Sequence, residues 1–312
     1  MTEDILVSVV MVTYNHEKYI KKAINSVLCQ KLDGKIEILI GDDGSSDSTV
    51  EILNSYAENN SNIKLFVHEN KGLSQNVYEL FMNARGKYIA ILEGDDYWID
   101  ENKLQKQIAC LEEKKVLAVA CNSIIIDSEE KVIGKWSIFD CDKEISRKEI
   151  ERYQHLLFHP SAVLFKNIFV NSKNKYHIIA SAHRMSGNHT GLINLLGAEG
   201  KIYLCNESYT VWRKVTGNGT NFSAKKNYSL EDYYSHFQKY IRYKDYYKTL
   251  YNFDDYIFTY FFRCQKCLIG QLSATMGTFW FMKLIGYAFK RCWYKTLDKI
   301  KALRKKNDNE KT

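Results

Sequence analysis

Val7-Ser8-Val9-Val10-Met11-Val12-Thr13-Tyr14-Asn15 places a valine-rich apolar run directly before three polar residues. An almost unbroken apolar run of this length, without strict alternation, fits a strand covered on both faces, as in a parallel sheet. The next residues change period. Across His16–Cys29, Ile20, Ala23, Ile24 and Val27 recur at helical spacing, so one helix face is apolar.

The same alternation continues outward. Ile36–Ile40, Ile63–Val67, Tyr88–Leu92 and Val116–Ala120 are apolar runs of strand length. Between them, Asp47–Glu58, Leu73–Ala84 and Glu101–Glu113 carry apolar residues in helical phase, the first with Ser45, Ser46 or Asp47 available as N-cap. Such a β-α-β-α order predicts a mainly parallel sheet flanked by helices on both faces. Right-handed crossovers then bring all strand C-termini to one edge, where ligands bind. Further on, Asn122–Asp127 and Lys131–Ile133 flank Ser128-Glu129-Glu130 as a hairpin, Ser161–Phe165 and Lys201–Cys205 read as strands, and His189–Ala198 reads as a helix.

Polar clusters follow three of the predicted strands: Thr13-Tyr14-Asn15, then Gly41-Asp42-Asp43-Gly44-Ser45-Ser46-Asp47, then Glu93-Gly94-Asp95-Asp96-Tyr97-Trp98. Taken singly, each is an ordinary turn or helix cap. Taken together at one sheet edge, they gather four or five carboxylates, which is costly unless cations or donors compensate. Carboxylate oxygens suit Mg²⁺ or Mn²⁺, whose shell is completed by phosphates and water. Asp254-Asp255 provides a contrast: no strand precedes it, so it reads as a helix cap.

These segments, with Glu69-Asn70-Lys71-Gly72 and Arg85-Gly86-Lys87-Tyr88-Ile89, resemble glycosyltransferase family 2 with the GT-A (Rossmann-like) fold. The likeness is specific over residues 5–113. It weakens towards 220 through His159-Pro160-Ser161-Ala162-Val163-Leu164-Phe165 and Tyr209-Thr210-Val211-Trp212-Arg213. The resemblance implies transfer of a sugar from a nucleotide-diphosphate donor, UDP-sugar favoured, to a glycan or lipid-linked acceptor, with inversion. It implies that Thr13, Tyr14 and Asn15 pack on the nucleobase, that Asp43 bonds the base beside Asp42, and that Asp95 borders the ribose. It also implies that Asp96, with Asp95, holds Mn²⁺ or Mg²⁺. Where relatives carry a Gly-Asp pair with the presumed base, this chain has Gly187-Asn188 followed by His189, and Val215 stands where relatives often carry histidine. Asn188 marks the base position, and His189 is the alternative base. A sugar nucleotidyltransferase and a non-catalytic nucleotide-sugar-binding partner are the competing functions. The first lacks its Gly-rich phosphate loop here; the second is suggested by Asn188.

Charge divides the 312 residues. Residues 223–312 carry 18 Lys/Arg against 8 Asp/Glu, a net +10, whereas residues 1–222 carry 26 against 29, a net −3. The organisation expected is a catalytic domain over 1–222 and a basic, aromatic-rich helical extension over 223–312. Eight basic residues between 290 and 306, beside Phe279, Trp280, Phe281, Trp293 and Tyr294, fit an interfacial helix on an anionic membrane. A helical extension packed on the catalytic domain is the alternative. No nucleic-acid module accompanies the charge. Glu3 and Asp4 stand before the apolar Ile5–Val12, so that run reads as a strand and not as a signal peptide. The expectation is therefore a cytoplasmic chain, peripheral on the inner face of the membrane, with its eight cysteines reduced. Cys264-x-x-Cys267 lacks a second pair to complete a zinc site.

Overall fold

β1 (Ile5–Thr13) is the centre of the fold, because its core-facing valines leave no side open to solvent. β2 (Lys35–Asp42) pairs with it in parallel on one side and β4 (Tyr88–Glu93) on the other; β3 (Ile63–Val67) continues the parallel sheet beyond β2. The structure is a computed structural model and describes residues 4–153, 157–170 and 189–214. Asn188, Asp254-Asp255, Cys264, Cys267, the expected boundary at 222/223 and the whole basic extension lie outside the described residues.

Helices α1 (Ile20–Leu28), α2 (Thr49–Asn59), α3 (Leu73–Asn83) and α4 (Lys103–Lys114) bridge or flank these strands, as the periodicity predicts. Ile20, Ala23, Ile24 and Val27 of α1 are all buried, the same four residues that share one face in the sequence. Helix starts shift inward: α1 begins four residues after His16, because residues 16–19 form a turn closed by His16 C=O with the N–H groups of Tyr19 and Ile20.

The second half of the sheet is mixed. β6 (Ala118–Ile126) runs through both the predicted fifth strand and the first arm of the predicted hairpin; β7 (Val132–Trp136) returns beside it. β10 (Ile202–Arg213) is twelve residues long and pairs in parallel with β6. β9 (Val163–Lys166) lies between β4 and β6 and is antiparallel to both. The order is β3-β2-β1-β4-β9-β6-β10-β5, with β5 (Tyr97–Trp98) and β8 (Lys143–Ile145) as short antiparallel additions to β10. The long ladders are parallel and the antiparallel ones short, so the α/β, mainly parallel, helix-flanked architecture stands. α5 (Arg147–Tyr153) and α6 (His189–Glu199) complete the described elements, with one 3₁₀ turn at Pro160–Ala162.

At the edge away from the strand C-termini, a polar knot replaces apolar packing. Ser8 Oγ donates to Glu37 Oε1 (2.6 Å) and accepts from Gly86 N (2.8 Å), while Arg85 donates to Glu37 through its backbone and guanidinium. Burial alone would raise the Glu37 carboxyl, but these donors outweigh it and hold it below the usual value. Among the described residues no helix is long and apolar enough to cross a membrane.

Candidate active site

Sheet register brings the three polar clusters to one edge. Thr13 pairs with Asp42 at the ends of β1 and β2, and Val12 pairs with Glu93 at the ends of β1 and β4. Beyond the ladders, Asp43 N donates to Thr13 C=O (3.0 Å) and Gly94 N to Val12 C=O (2.8 Å), so the loops stay joined after the strands end. Gly94 permits this closeness: a Cβ there would lie 2.9 Å from both His16 Nδ1 and Thr13 Oγ1.

Loop β2–α2 is tied to the β1 loop through side chains. Asp42 accepts from Gly44 N (3.1 Å), Ser45 N (2.8 Å) and Ser45 Oγ (2.5 Å), which makes it the organiser of its own turn. Ser45 Oγ accepts from Asn15 N (2.8 Å), and Asn15 Oδ1 accepts from Ser46 N (2.8 Å) with Asn15 at φ 55°. Asp47 accepts from Thr49 N (3.0 Å) at the start of α2 and from Glu17 N (3.1 Å). Asp43 is 6% exposed and takes the backbone N–H groups of Lys71 (2.9 Å) and Gly72 (3.0 Å). It therefore anchors the β3–α3 loop over the same edge. Tyr14 is exposed there, at the rim.

The loop after β4 is drier. Asp96 is 1% exposed: its Oδ2 accepts from Ser161 Oγ (2.5 Å) and its Oδ1 from Arg213 N (2.9 Å). His159, also buried, lies with Nδ1 3.3 Å from Asp96 Oδ2 and Nε2 3.5 Å from Glu93 Oε2. Its ring stacks on Trp212 (centroids 5.2 Å) and meets the edge of Trp136 (5.7 Å). Asp95 lies closer to the β1 loop, its Oδ2 3.9 Å from His16 Nε2. Burial and the neighbouring Asp95 charge push Glu93 up to about 8. Burial, then the charges of Asp95 and Glu93, raise Asp96 well above the carboxylate range against its hydrogen bonds from Ser161 and Arg213. The charges that crowd one another here all belong to the end of β4 and the loop after it.

One carboxylate oxygen each of Glu93 and Asp96 and one nitrogen of His159 lie within 4.8 Å of one another. Two hard oxygens and an imidazole suit a small divalent cation, and a cation there would offset the crowded negative charge. The residues present fit the metal expected from the sequence. The converging atoms come from Glu93 and His159 as well as Asp96, whereas Asp95 borders the group. His159 and Ser161 belong to the His159–Phe165 segment of the weaker family likeness, which assigned neither a site role. The chain's single proline, Pro160, stands between them at the start of a 3₁₀ turn. Arg213 had no assigned role. His189 opens α6, and Asn188 falls outside the described residues, so the base position is not part of the described site.

A family model described as Glycosyl transferase family 2 matches residues 8–179. With more than half of the chain matched, this protein belongs to glycosyl transferase family 2. An uncharacterised protein of Mycobacterium tuberculosis is 33% identical over 125 residues, 39% of this chain and 36% of that protein. An uncharacterised glycosyltransferase of Methanocaldococcus jannaschii is 30% identical over 184 residues, 56% of this chain and 61% of the relative. The chain thus spans less than two thirds of the length of these relatives. Residues 1–349 of S. aureus TarS, solved in complex with UDP-GlcNAc, share the fold with TM-score 0.56 at 16% identity, covering 76% of this chain and 66% of that one. That likeness shows the GT-A fold.

Proposed function

We propose that the chain transfers a sugar from a UDP-sugar to a glycan or lipid-linked acceptor with inversion, in polysaccharide or cell-envelope synthesis, using Mn²⁺ or Mg²⁺. The observation that carries this is the meeting of the Thr13–Asn15, Asp42–Asp47 and Glu93–Trp98 loops at one edge of the parallel strands. Tyr14 and Asn15 border the base, Asp43 bonds it while holding the Lys71-Gly72 backbone, and Asp95 faces the ribose. Asp96, with Glu93 and His159 and with Asp95 at the border, holds the cation. When bound, the cation supplies charge stabilisation of the departing diphosphate. TarS, a fold relative, is seen with UDP-GlcNAc, which agrees with a UDP-sugar donor. The base that takes the acceptor proton sits at Asn188 or His189; asparagine is a poor proton acceptor, so His189 is the side chain suited to the task. A general base contributes about 10²- to 10⁴-fold in rate.

Calorimetry with UDP, with and without Mn²⁺, tests the site. Wild-type protein should bind UDP far better with the metal, and Asp96→Ala should abolish that difference. Unchanged metal-dependent affinity in the variant would refute the role given to Asp96. Release of free UDP from a UDP-sugar in the presence of an acceptor glycan then reports transfer.

A further inference from the structure

Arg213 is the largest fully buried side chain of the described residues, and it stands against the acidic loop without touching the group of Glu93, Asp96 and His159 through its guanidinium. Its backbone N–H holds Asp96 Oδ1 (2.9 Å), and its Nε donates to the Asp95 C=O (3.2 Å). One residue thus fixes both the side chain of Asp96 and the backbone that carries it. The guanidinium lies over Tyr19, Cζ 4.4 Å from the ring centroid, just before α1. Its remaining nitrogens point to the turn between β6 and β7: Nη2 donates to Glu130 Oε1 (2.8 Å) and Nη1 to the Asp127 C=O (3.5 Å).

Glu130 is different in kind. It sits on an exposed turn, half its side chain in solvent, at φ 65°, in the left-handed region that favours glycine. Its carboxylate also accepts two bonds from Lys22 Nζ (2.9 and 2.8 Å), and that ammonium lies 4.0 Å over the ring of Tyr97, the residue after Asp96. Lys22 and Arg213 therefore flank residues 95–97 from two sides, and Glu130 joins them.

Resting on the donor and metal site proposed above, we infer that Arg213 and Glu130 are positioning residues for the acidic loop. Glu130 sets the guanidinium, and the guanidinium sets the Asp95–Asp96 backbone from which the cation is held. An outlying carboxylate on a surface turn thereby tunes metal affinity without contacting metal or donor. Lysine cannot replace Arg213, because the bonds to Asp95, Asp127 and Glu130 need a planar fork.

Glu130→Ala tests this, because it removes the outlying carboxylate while the Asp95 and Asp127 carbonyls still accept from the guanidinium. UDP binding is titrated against Mn²⁺ in full-length protein. Partners of this kind cost 10- to 100-fold in metal affinity when lost. The Mn²⁺ midpoint should therefore rise about tenfold, UDP affinity at saturating Mn²⁺ should be regained, and the melting temperature without metal should hold. Glu130→Gln, which keeps an acceptor for Arg213, should restore most of the midpoint. Glu129→Ala on the same turn should leave it unchanged. Arg213→Lys should shift the midpoint in the same direction. An unmoved midpoint in Glu130→Ala, or a fall in melting temperature with no midpoint shift, overturns the inference while leaving the donor site standing. Wild-type protein that binds UDP without regard to Mn²⁺ removes the metal site itself, and the inference with it.

Discussion

Asp43 shows how a single carboxylate can serve two purposes. Its two oxygens gather the Lys71 and Gly72 N–H groups, so the β3–α3 loop is held beside the position proposed for the base. Hydrogen bonds to a charged group contribute about 1.5–3 kcal/mol. Asp43→Ala should therefore weaken binding of free uridine by roughly tenfold or more, as well as binding of UDP. Calorimetry with uridine alone measures this, and an effect confined to metal-dependent UDP binding would reverse the roles of the two acidic pairs. Lys103 is a different buried charge. It is fully buried, donates to Gln107 Oε1 (2.7 Å) and lies 4.1 Å over Trp98. Burial pushes its ammonium down to about 8, whereas an unfolded lysine titrates near ~10.4. Between those values the unfolded chain binds a proton that the folded chain has released, so this group makes stability rise with pH from 8 towards 10. Below about 8 both states are protonated and the dependence ends. Melting temperatures across pH 8–10 should show that increment in wild type and lose it in Lys103→Met. None of this was legible from Lys103 in sequence, where it is one lysine on an amphipathic helix.

At the scale of elements, the packing of α3 on β2 positions the acidic loop that follows β2. Asn76, 1% exposed, donates through Nδ2 to the Gly41 C=O (2.9 Å), immediately before Asp42. A Cβ at Gly41 would stand 2.0 Å from Asn76 Oδ1. The amide is anchored and buried, so it cannot swing aside, and overpacking of this kind costs about 1–3 kcal/mol. Gly41→Ala should lower the melting temperature by several degrees and weaken UDP binding through displacement of Asp42 and Asp43; Gly41→Ala with an unshifted melting curve would show that α3 yields. The helices and parallel strands were legible because their signals are local: a period of 3.6 for α1, α3 and α4, and apolar runs for β1, β2 and β4, interrupted only by Ser8 in the first and Glu37 in the second. β5, β8 and α5 were not. The two or three residues of β5 and β8 carry no period, the seven of α5 barely two turns, and Tyr97–Trp98 becomes a strand only because β10 passes beside it. β6 and β10 proved longer than their apolar runs, since each continues as a partner for the other beyond the core.

Over the whole molecule, the uneven charge calls for a test on the intact chain. The eight basic residues between 290 and 306 should hold full-length protein on anionic liposomes, each contributing roughly 1 kcal/mol near the surface. That attraction should fade with salt, because exposed charges are screened beyond about 10 Å at 0.1 M. Co-sedimentation of full-length protein and of protein ending near residue 277, at two salt concentrations, measures it; full-length protein that ignores the liposomes at low salt makes the tail a structural extension. The α/β class, the order of the first elements and the three clusters that share an edge can all be read from the chain alone. Each follows from local periodicity, and parallel topology then leaves only one edge for strand C-termini. Tertiary structure decided which side chains close on Asp96. His159, Ser161 and Arg213 lie 63, 65 and 117 positions away in the chain. They meet it because β9 inserts antiparallel between β4 and β6 while β10 runs its full length beside β6. No periodicity encodes that pairing: it arises from the free energy of burying those strands together, and the placement of these charges follows from it.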